Sequence, residues 1–287
     1  MHTVLQSRSN TVTIGHDQPF CVIGERINPT GRKVFAEELR GGDLSTAERD
    51  AVAQVEAGAD MLDVNAGIPL VDEPELLMSM LRAVQGVVEV PICIDSSVIE
   101  ALEAGLSVYE GKPLVNSVTG EDDRLEEILP LVARHGAAVI GLANDETGIP
   151  ETAQKRLEIA HKIVSAAGDH GIPPEDVVID PLAMTVGAAT DAVTITLEAI
   201  SLIREELGVN MCLGASNVSF GLPRRHVLNA AFLPMAMAAG LTSAIMSCAP
   251  EVVGAVRASD LLLGHDEWGA RWIASHREAE AKAAAGA

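Results

Sequence analysis

The chain has 287 residues, of which 48% are hydrophobic and 2% aromatic. That length suits one α/β barrel as well as two smaller domains, and Ala, Val, Ile, Leu and Met must fill the core in place of rings. A formal charge of −21 argues against a nucleic-acid partner, because phosphate backbones need a basic footprint, and it disfavours anionic membrane surfaces.

Residues 1–20 lack a basic flank followed by an apolar run, and no apolar stretch is long enough to span a bilayer. Residues 11–14, the turn Gly15-His16-Asp17 and residues 20–23 are expected to form a hairpin leading into the first barrel strand. Apolar runs then recur at 20–24, 61–64, 92–94, 114–115, 138–142, 177–179, 211–213 and 244–246. Each is short, rich in branched aliphatics and followed by helix-like sequence, the mark of parallel strands buried on both faces. Ser45 and Glu48 have capping-box spacing before Ala51, Val52 and Val55, and Gly58 stops that helix. Asp122 or Asp123 is expected to cap a helix through Leu125, Ile128, Leu129 and Val132, with Gly136 as its stop. Thr152 opens the next, which ends before Gly171, and a helix over 190–207 closes at Gly208. From about residue 276 the chain is Ala/Glu/Lys-rich, as expected of a helix with a frayed end.

Eight strand–helix units make a (β/α)8 TIM barrel of the α/β class, with an open doubly wound sheet as the fallback. No low-complexity linker divides residues 1–287, so one domain with a core over about 20–265 is expected. Cys21, Cys93, Cys212 and Cys248 stand far apart, each in or beside an apolar run and without a C-x-x-C pair. They are expected to be buried thiols rather than disulfide or zinc ligands, which fits a cytoplasmic setting.

In such a barrel the active site lies at the C-terminal ends of the strands. There the sequence places Glu25, Arg26 and Asn28; Asp63 and Asn65; Asp95, Ser96 and Ser97; Asn116 and Ser117; Asn144 and Asp145; Asp180; and Ser216, Asn217 and Ser219. Capping of the following helices explains Ser97 and Asp145 equally well. It explains Asp63, Asp95, Asn116, Asp180 and Asn217 less well, since each abuts an apolar strand and faces one shared mouth. Carboxylates and amides converging in a dry pocket need a donor-rich ligand. Metal is the weaker candidate, because no His ends a strand. A flat heterocycle with adjacent N–H donors fits better, and the amino-pyrimidinone edge of a pterin offers such a fork to a carboxylate. No Lys ends a strand for a Schiff base, and no nucleophile elbow, G-x-G-x-x-G or P-loop occurs.

Gly24-Glu25-Arg26-Ile27-Asn28, Asp63-Val64-Asn65, Ile94-Asp95-Ser96-Ser97, Val115-Asn116-Ser117, Ile179-Asp180-Pro181 and Ser216-Asn217-Val218-Ser219 resemble, in order and spacing, the pterin-binding methyltransferases. That family includes the methyltetrahydrofolate:corrinoid protein methyltransferases and the folate-binding domain of cobalamin-dependent methionine synthase. The resemblance spans about residues 20–265. It implies methyl transfer, in a direction left open, between N5 of tetrahydrofolate and the cobalt of a corrinoid. Asp95, Asn116 and Asp180 then hold the pterin ring, Asp63 and Asn65 line the pocket floor, and Glu25 and Asn28 complete its wall. Asn217 lies near N5 and shares the catalytic role with Asp95, while Arg225, with Arg224 as its rival, faces the benzoyl-glutamate tail. A homodimer is also implied. With no D-x-H-x-x-G cobalamin motif in the chain, the corrinoid arrives on a partner protein. Dihydropteroate synthase, a sister family, is the alternative, but residues 214–219 lack the Lys of the basic Ser-Arg-Lys-type segment that the resemblance to that family would imply. A non-catalytic pterin-binding module is the third reading.

Overall fold

Period-two burial in short aliphatic runs and longer amphipathic stretches between them resolve into alternating strands and helices. The protein is described here over residues 1–285 in a computed structural model. Its elements in order are β1 (His2–Gln6), β2 (Thr11–Gly15), β3 (Cys21–Ile27), α1 (Lys33–Arg40), α2 (Ser45–Glu56), β4 (Met61–Asn65) and α3 (Glu73–Val87). Then come β5 (Ile92–Asp95), α4 (Ile99–Val108), β6 (Leu114–Thr119), α5 (Asp122–His135), β7 (Ala138–Leu142), α6 (Ala153–Asp169) and β8 (Val177–Asp180). The chain closes with α7 (Ala192–Glu206), β9 (Asn210–Gly214), α8 (Arg225–Ala239), β10 (Ser243–Met246), α9 (Pro250–Leu263) and α10 (Ala270–Ala285). Strands β3 to β10 form a closed parallel barrel in sequence order, with β10 returning to β3. The (β/α)8 barrel is therefore present.

Alternation sorts the strand side chains into two cores. Leu62, Val64, Ile92, Ile94, Val115, Val177 and Ile179 point outward and pack under the helices. Cys21, Ile23, Met61, Cys93, Leu114, Ala138, Ile140, Val178 and Cys212 fill the barrel interior. Burial in this apolar core pushes the Cys21 and Cys93 thiols well up, so they are inert packing groups.

A hairpin precedes the barrel, but not with the strands expected. Its partners are β1 and β2, in antiparallel register from His2 opposite Gly15 to Gln6 opposite Thr11. Residues 20–23 are unavailable to it, because β3 pairs on both sides with β4 and β10. Leu5 and Ile14 of the hairpin are fully buried within the interior cluster, so the hairpin plugs the N-terminal end of the barrel.

Helix ends follow the sequence in part. Thr152 caps α6 by accepting the Lys155 N–H at 3.3 Å, and Gly136 ends α5 in the left-handed region at φ 60°. The Ser45–Glu48 box does not form. Helix α2 begins at Ser45 itself, whose N–H is accepted by Asp43 at 2.9 Å. Neither Asp122 nor Asp123 caps α5; Glu146 of a neighbouring loop accepts the Asp122 N–H at 2.7 Å. The expected fraying concerns the end of α10, and positions 286–287 lie outside the described residues. Among the described residues, no helix is long and apolar enough to cross a membrane.

Candidate active site

Climbing each strand along its inward positions shows how the site is made. The inward residues are apolar at the bottom and middle of the barrel, and the last one on most strands is polar. Ile23 is followed by Glu25, Met61 by Asp63, Cys93 by Asp95, Leu114 by Asn116 and Val178 by Asp180. The polar ring is thus the topmost layer of the interior, laid over an apolar floor that excludes water from below.

This ring lines a cavity of about 460 Å³ at the C-terminal mouth. Asp63, Asp95, Asn116, Asp180, Asn217, Arg225, Glu25 and Asn28 all border it, joined by Arg26, Thr30, Arg32, Gly214, Ser216 and Ile245. Of the two candidate arginines, Arg225 reaches the cavity and Arg224 does not. Asn65 also stays off the wall. Its Oδ1 accepts the Gly67 N–H at 2.8 Å, a local turn that competes with a cavity-facing rotamer, and its amide supports Asp95 instead. Ser97 and Asp145 neither border the cavity nor cap the helices that follow them, whose N-caps are Val98 and Thr152. The Ser97 carbonyl accepts from Arg124 of α5, and Asp145 accepts the Thr147 N–H at 3.0 Å.

The carboxyls here are not ordinary. Burial, reinforced by the charge of Asp95, pushes Asp63 well above the usual carboxylate range. That shift favours the protonated form of Asp63 beside Asp95, while Asn116 donates to its Oδ1 at 3.1 Å. Asp95 is itself raised by burial, although the Asn65 amide and the Asp63 hydroxyl stabilise its anion. Asp180 is pushed up to about 6 by burial, held back by the N–H groups of Leu182 at 2.7 Å and Gly214 at 3.4 Å. Glu25 also rises through burial, moderated by the Ser216 hydroxyl and the charges of Arg225, His226 and Arg26. An ionised carboxylate can accept about four hydrogen bonds, more than these acids receive within the chain, and a ligand with adjacent N–H groups would supply others.

Two supporting residues, Arg156 and Gln54, escaped the sequence, and Ser216, expected at its strand end, proves to be a support. Arg156, 2% exposed, reaches under the β8 loop and donates to the carbonyls of Pro181 at 2.9 Å and Leu182 at 2.7 Å. It fixes the turn that presents Asp180. Its position in line with Ala160, Ile163 and Ala167 on the buried face of α6 was the available signal. Gln54 accepts the Arg26 N–H at 2.7 Å and fills the space beside Gly24, where a Cβ would stand 2.6 Å from its Oε1. Ser216, 9% exposed, accepts from the buried Asn229 amide at 3.2 Å and anchors the segment that carries Asn217. Within that segment a Cβ at Gly214 would lie 3.0 Å from Asn217 Nδ2, so the glycine lets the amide fold over the strand end.

Residues 24–247 match the family described as "Pterin binding enzyme". The chain belongs to the pterin-binding enzyme family. This pterin-binding enzyme is 35% identical over 252 residues to a methylcorrinoid:tetrahydrofolate methyltransferase of Eubacterium limosum, covering 85% of this chain and 92% of the relative. It is also 35% identical over 259 residues to a methionine synthase of Mycobacterium tuberculosis, covering 84% of this chain and 21% of that longer protein. Among solved structures, a Xanthomonas albilineans dihydropteroate synthase superposes with a TM-score of 0.71 at 20% identity, over 91% of this chain and 98% of the other. A Yersinia pestis dihydropteroate synthase superposes at 0.70 and 17% identity, over 92% and 100%. At those identities the likeness is one of fold.

Proposed function

We propose that this enzyme transfers a methyl group between N5 of tetrahydrofolate and the cobalt of a corrinoid carried by a partner protein. The observation that carries the reading is the ring of raised carboxyls and amides at a single barrel mouth. Support comes from the methylcorrinoid:tetrahydrofolate methyltransferase matched along nearly its whole length. In the proposed complex Asp95 and Asp180 accept the N–H groups of the pyrimidinone edge, and Asn116 reads the mixed donor and acceptor edge beside it. Asp63, at the floor, accepts from Asn116 and orients it beside Asp95. Glu25 and Asn28 complete the wall, and Arg225 faces the tail carboxylate.

The corrinoid supplies the cobalt centre that takes or gives the methyl. The chain's own residues hold the pterin with N5 toward the open mouth and stabilise the positive charge that must build there before the C–N bond breaks. Exposed at the rim, Asn217 orients the proton path at N5. No side chain of Lys lines the cavity, which favours methyl transfer over displacement of diphosphate.

Mixing the protein with methylcobalamin and tetrahydrofolate is the direct test. Formation of 5-methyltetrahydrofolate is the expected result. Tight folate binding without transfer would reduce the protein to a binding module, and product from aminobenzoate with a pterin diphosphate would make it a synthase.

We further propose a homodimer through α8 and α9, which pack side by side. Val227 at 47%, Met235 at 50% and Leu262 at 85% exposure leave apolar area on these two helices that a second copy would cover. Sedimentation should give two chains per particle, and Leu262→Glu should give one. A wild-type monomer at micromolar concentration would end this proposal.

A further inference from the structure

A second hollow adjoins the cavity, and its charge runs against that of the chain. Arg26, Arg32, Lys33 and Arg49 line it around Phe35, and Arg26 and Arg32 border both spaces. Lys and Arg together are only 20 of the 287 residues, so four on one surface is a local reversal of a −21 background. Arg32 is fixed: it pairs with Asp50 at 2.7 Å, donates to the Arg26 carbonyl at 2.5 Å and lies over the Phe35 ring at 4.6 Å. Arg49 leans on the hydroxyls of Ser45 and Thr46. Arg26 and Lys33 are exposed, and neither side chain has a hydrogen bond or ion pair among the described residues. Glu38 is the one carboxylate on the lining, and with Asp50 spent on Arg32 the hollow keeps a positive balance.

We propose that this hollow binds an oligo-anionic extension of the substrate, a chain of γ-linked glutamates running on from folate seated in the cavity. The proposal rests on the folate reading above. A folate bound with N5 toward the open mouth must leave that opening clear for the methyl donor or acceptor, so its tail has to exit sideways. The shared wall of Arg26 and Arg32 is such an exit, and Lys33 and Arg49 lie one step farther out. Each added glutamate brings one free carboxylate, and an exposed ion pair is worth about a two- to fivefold gain in affinity. A triglutamate should therefore bind about tenfold more tightly than the monoglutamate at low salt.

Calorimetry with tetrahydrofolate mono- and triglutamate, at low and high ionic strength, tests this. The expected result is a roughly tenfold preference for the triglutamate that collapses at about 0.5 M salt, where the screening length is a few ångströms. The double variant Lys33→Glu/Arg49→Glu should lose the preference and keep monoglutamate affinity, with Lys33→Ala/Arg49→Ala between the two. Equal affinity for both tails, or a preference that survives in the Glu variant, overturns the tail site while leaving the folate reading intact. No binding of the monoglutamate overturns the folate reading and the tail site with it.

Discussion

Replacing Asp180 with asparagine is expected to weaken tetrahydrofolate binding about a hundredfold while slightly raising the melting temperature of the ligand-free protein. Asparagine keeps one accepting oxygen, so one charge-assisted hydrogen bond to the pterin edge is lost, worth about 1.5–3 kcal/mol when the partner is left facing a donor instead of an acceptor. The asparagine can still accept the Leu182 N–H with its carbonyl, so the β8 loop held by Arg156 should persist. What the substitution removes from the free protein is a carboxylate that burial raises to about 6. Because the folded value lies above the ordinary 3.8, ionised Asp180 opposes folding above pH 6, and stability returns as pH falls through the window from 6 to 3.8. Screening by water in an open cavity limits the neutral-pH gain to on the order of 1 kcal/mol, or about 2 °C in melting temperature for a chain of this size. The ligand sees the opposite sign. Binding needs the anions of both Asp180 and Asp95, which burial also raises to about 6. Affinity in the wild type should therefore drop at least about tenfold from pH 7 to pH 5, and Asp180→Asn should make that limb shallower, leaving the part that belongs to Asp95. Calorimetry and thermal melts across this range measure both. A variant that binds folate normally, or whose pH profile matches the wild type, would remove Asp180 from the site.

That opposition between binding and folding explains why the strand ends were readable in the sequence. An aspartate directly after a buried aliphatic run is costly unless a ligand repays it, and Asp63, Asp95 and Asp180 each break the apolar alternation toward the C-terminal end of its strand. Parallel strands buried on both faces also announce themselves as short aliphatic runs, so the barrel could be counted. What stayed hidden depended on tertiary neighbours. The N–H at the start of α5 is satisfied by Glu146, across 24 residues, and no local pattern encodes that. Strand β1 is five residues with a single alternation, too short to stand out, and it is fixed by pairing with β2 and by burial of Leu5. Asn65 carried the same signal as its neighbours in sequence, yet a backbone N–H two residues away captured its side chain. The basic hollow was equally invisible, because Arg26, Lys33 and Arg49 are far enough apart in sequence to look like ordinary solvated charges.

Asn217→Ala is expected to cut turnover by about a hundred- to a thousandfold with little change in KM for tetrahydrofolate, the pattern of an interaction made chiefly in the transition state. The argument starts from placement. Asn217 is the exposed member of the ring, on the short helical turn after β9, whereas Asp63, Asp95, Asn116 and Asp180 sit deeper on the strands. The deeper groups meet the part of the ring that does not react, so they contribute equally to ground and transition states and appear in KM. A rim amide meets the reacting edge, where charge at N5 changes as the methyl moves, and an amide can donate or accept as that nitrogen gains or loses its lone pair. The supports of the turn remain after truncation, since Arg225 still donates to the Ser216 carbonyl at 2.8 Å and Asn229 still holds the Ser216 hydroxyl at 3.2 Å. Steady-state kinetics of methyl transfer paired with folate calorimetry separates the two parameters. If KM rises while turnover is unchanged, Asn217 is a binding residue only, and the proton path at N5 must be sought at Asp95 and Asp63.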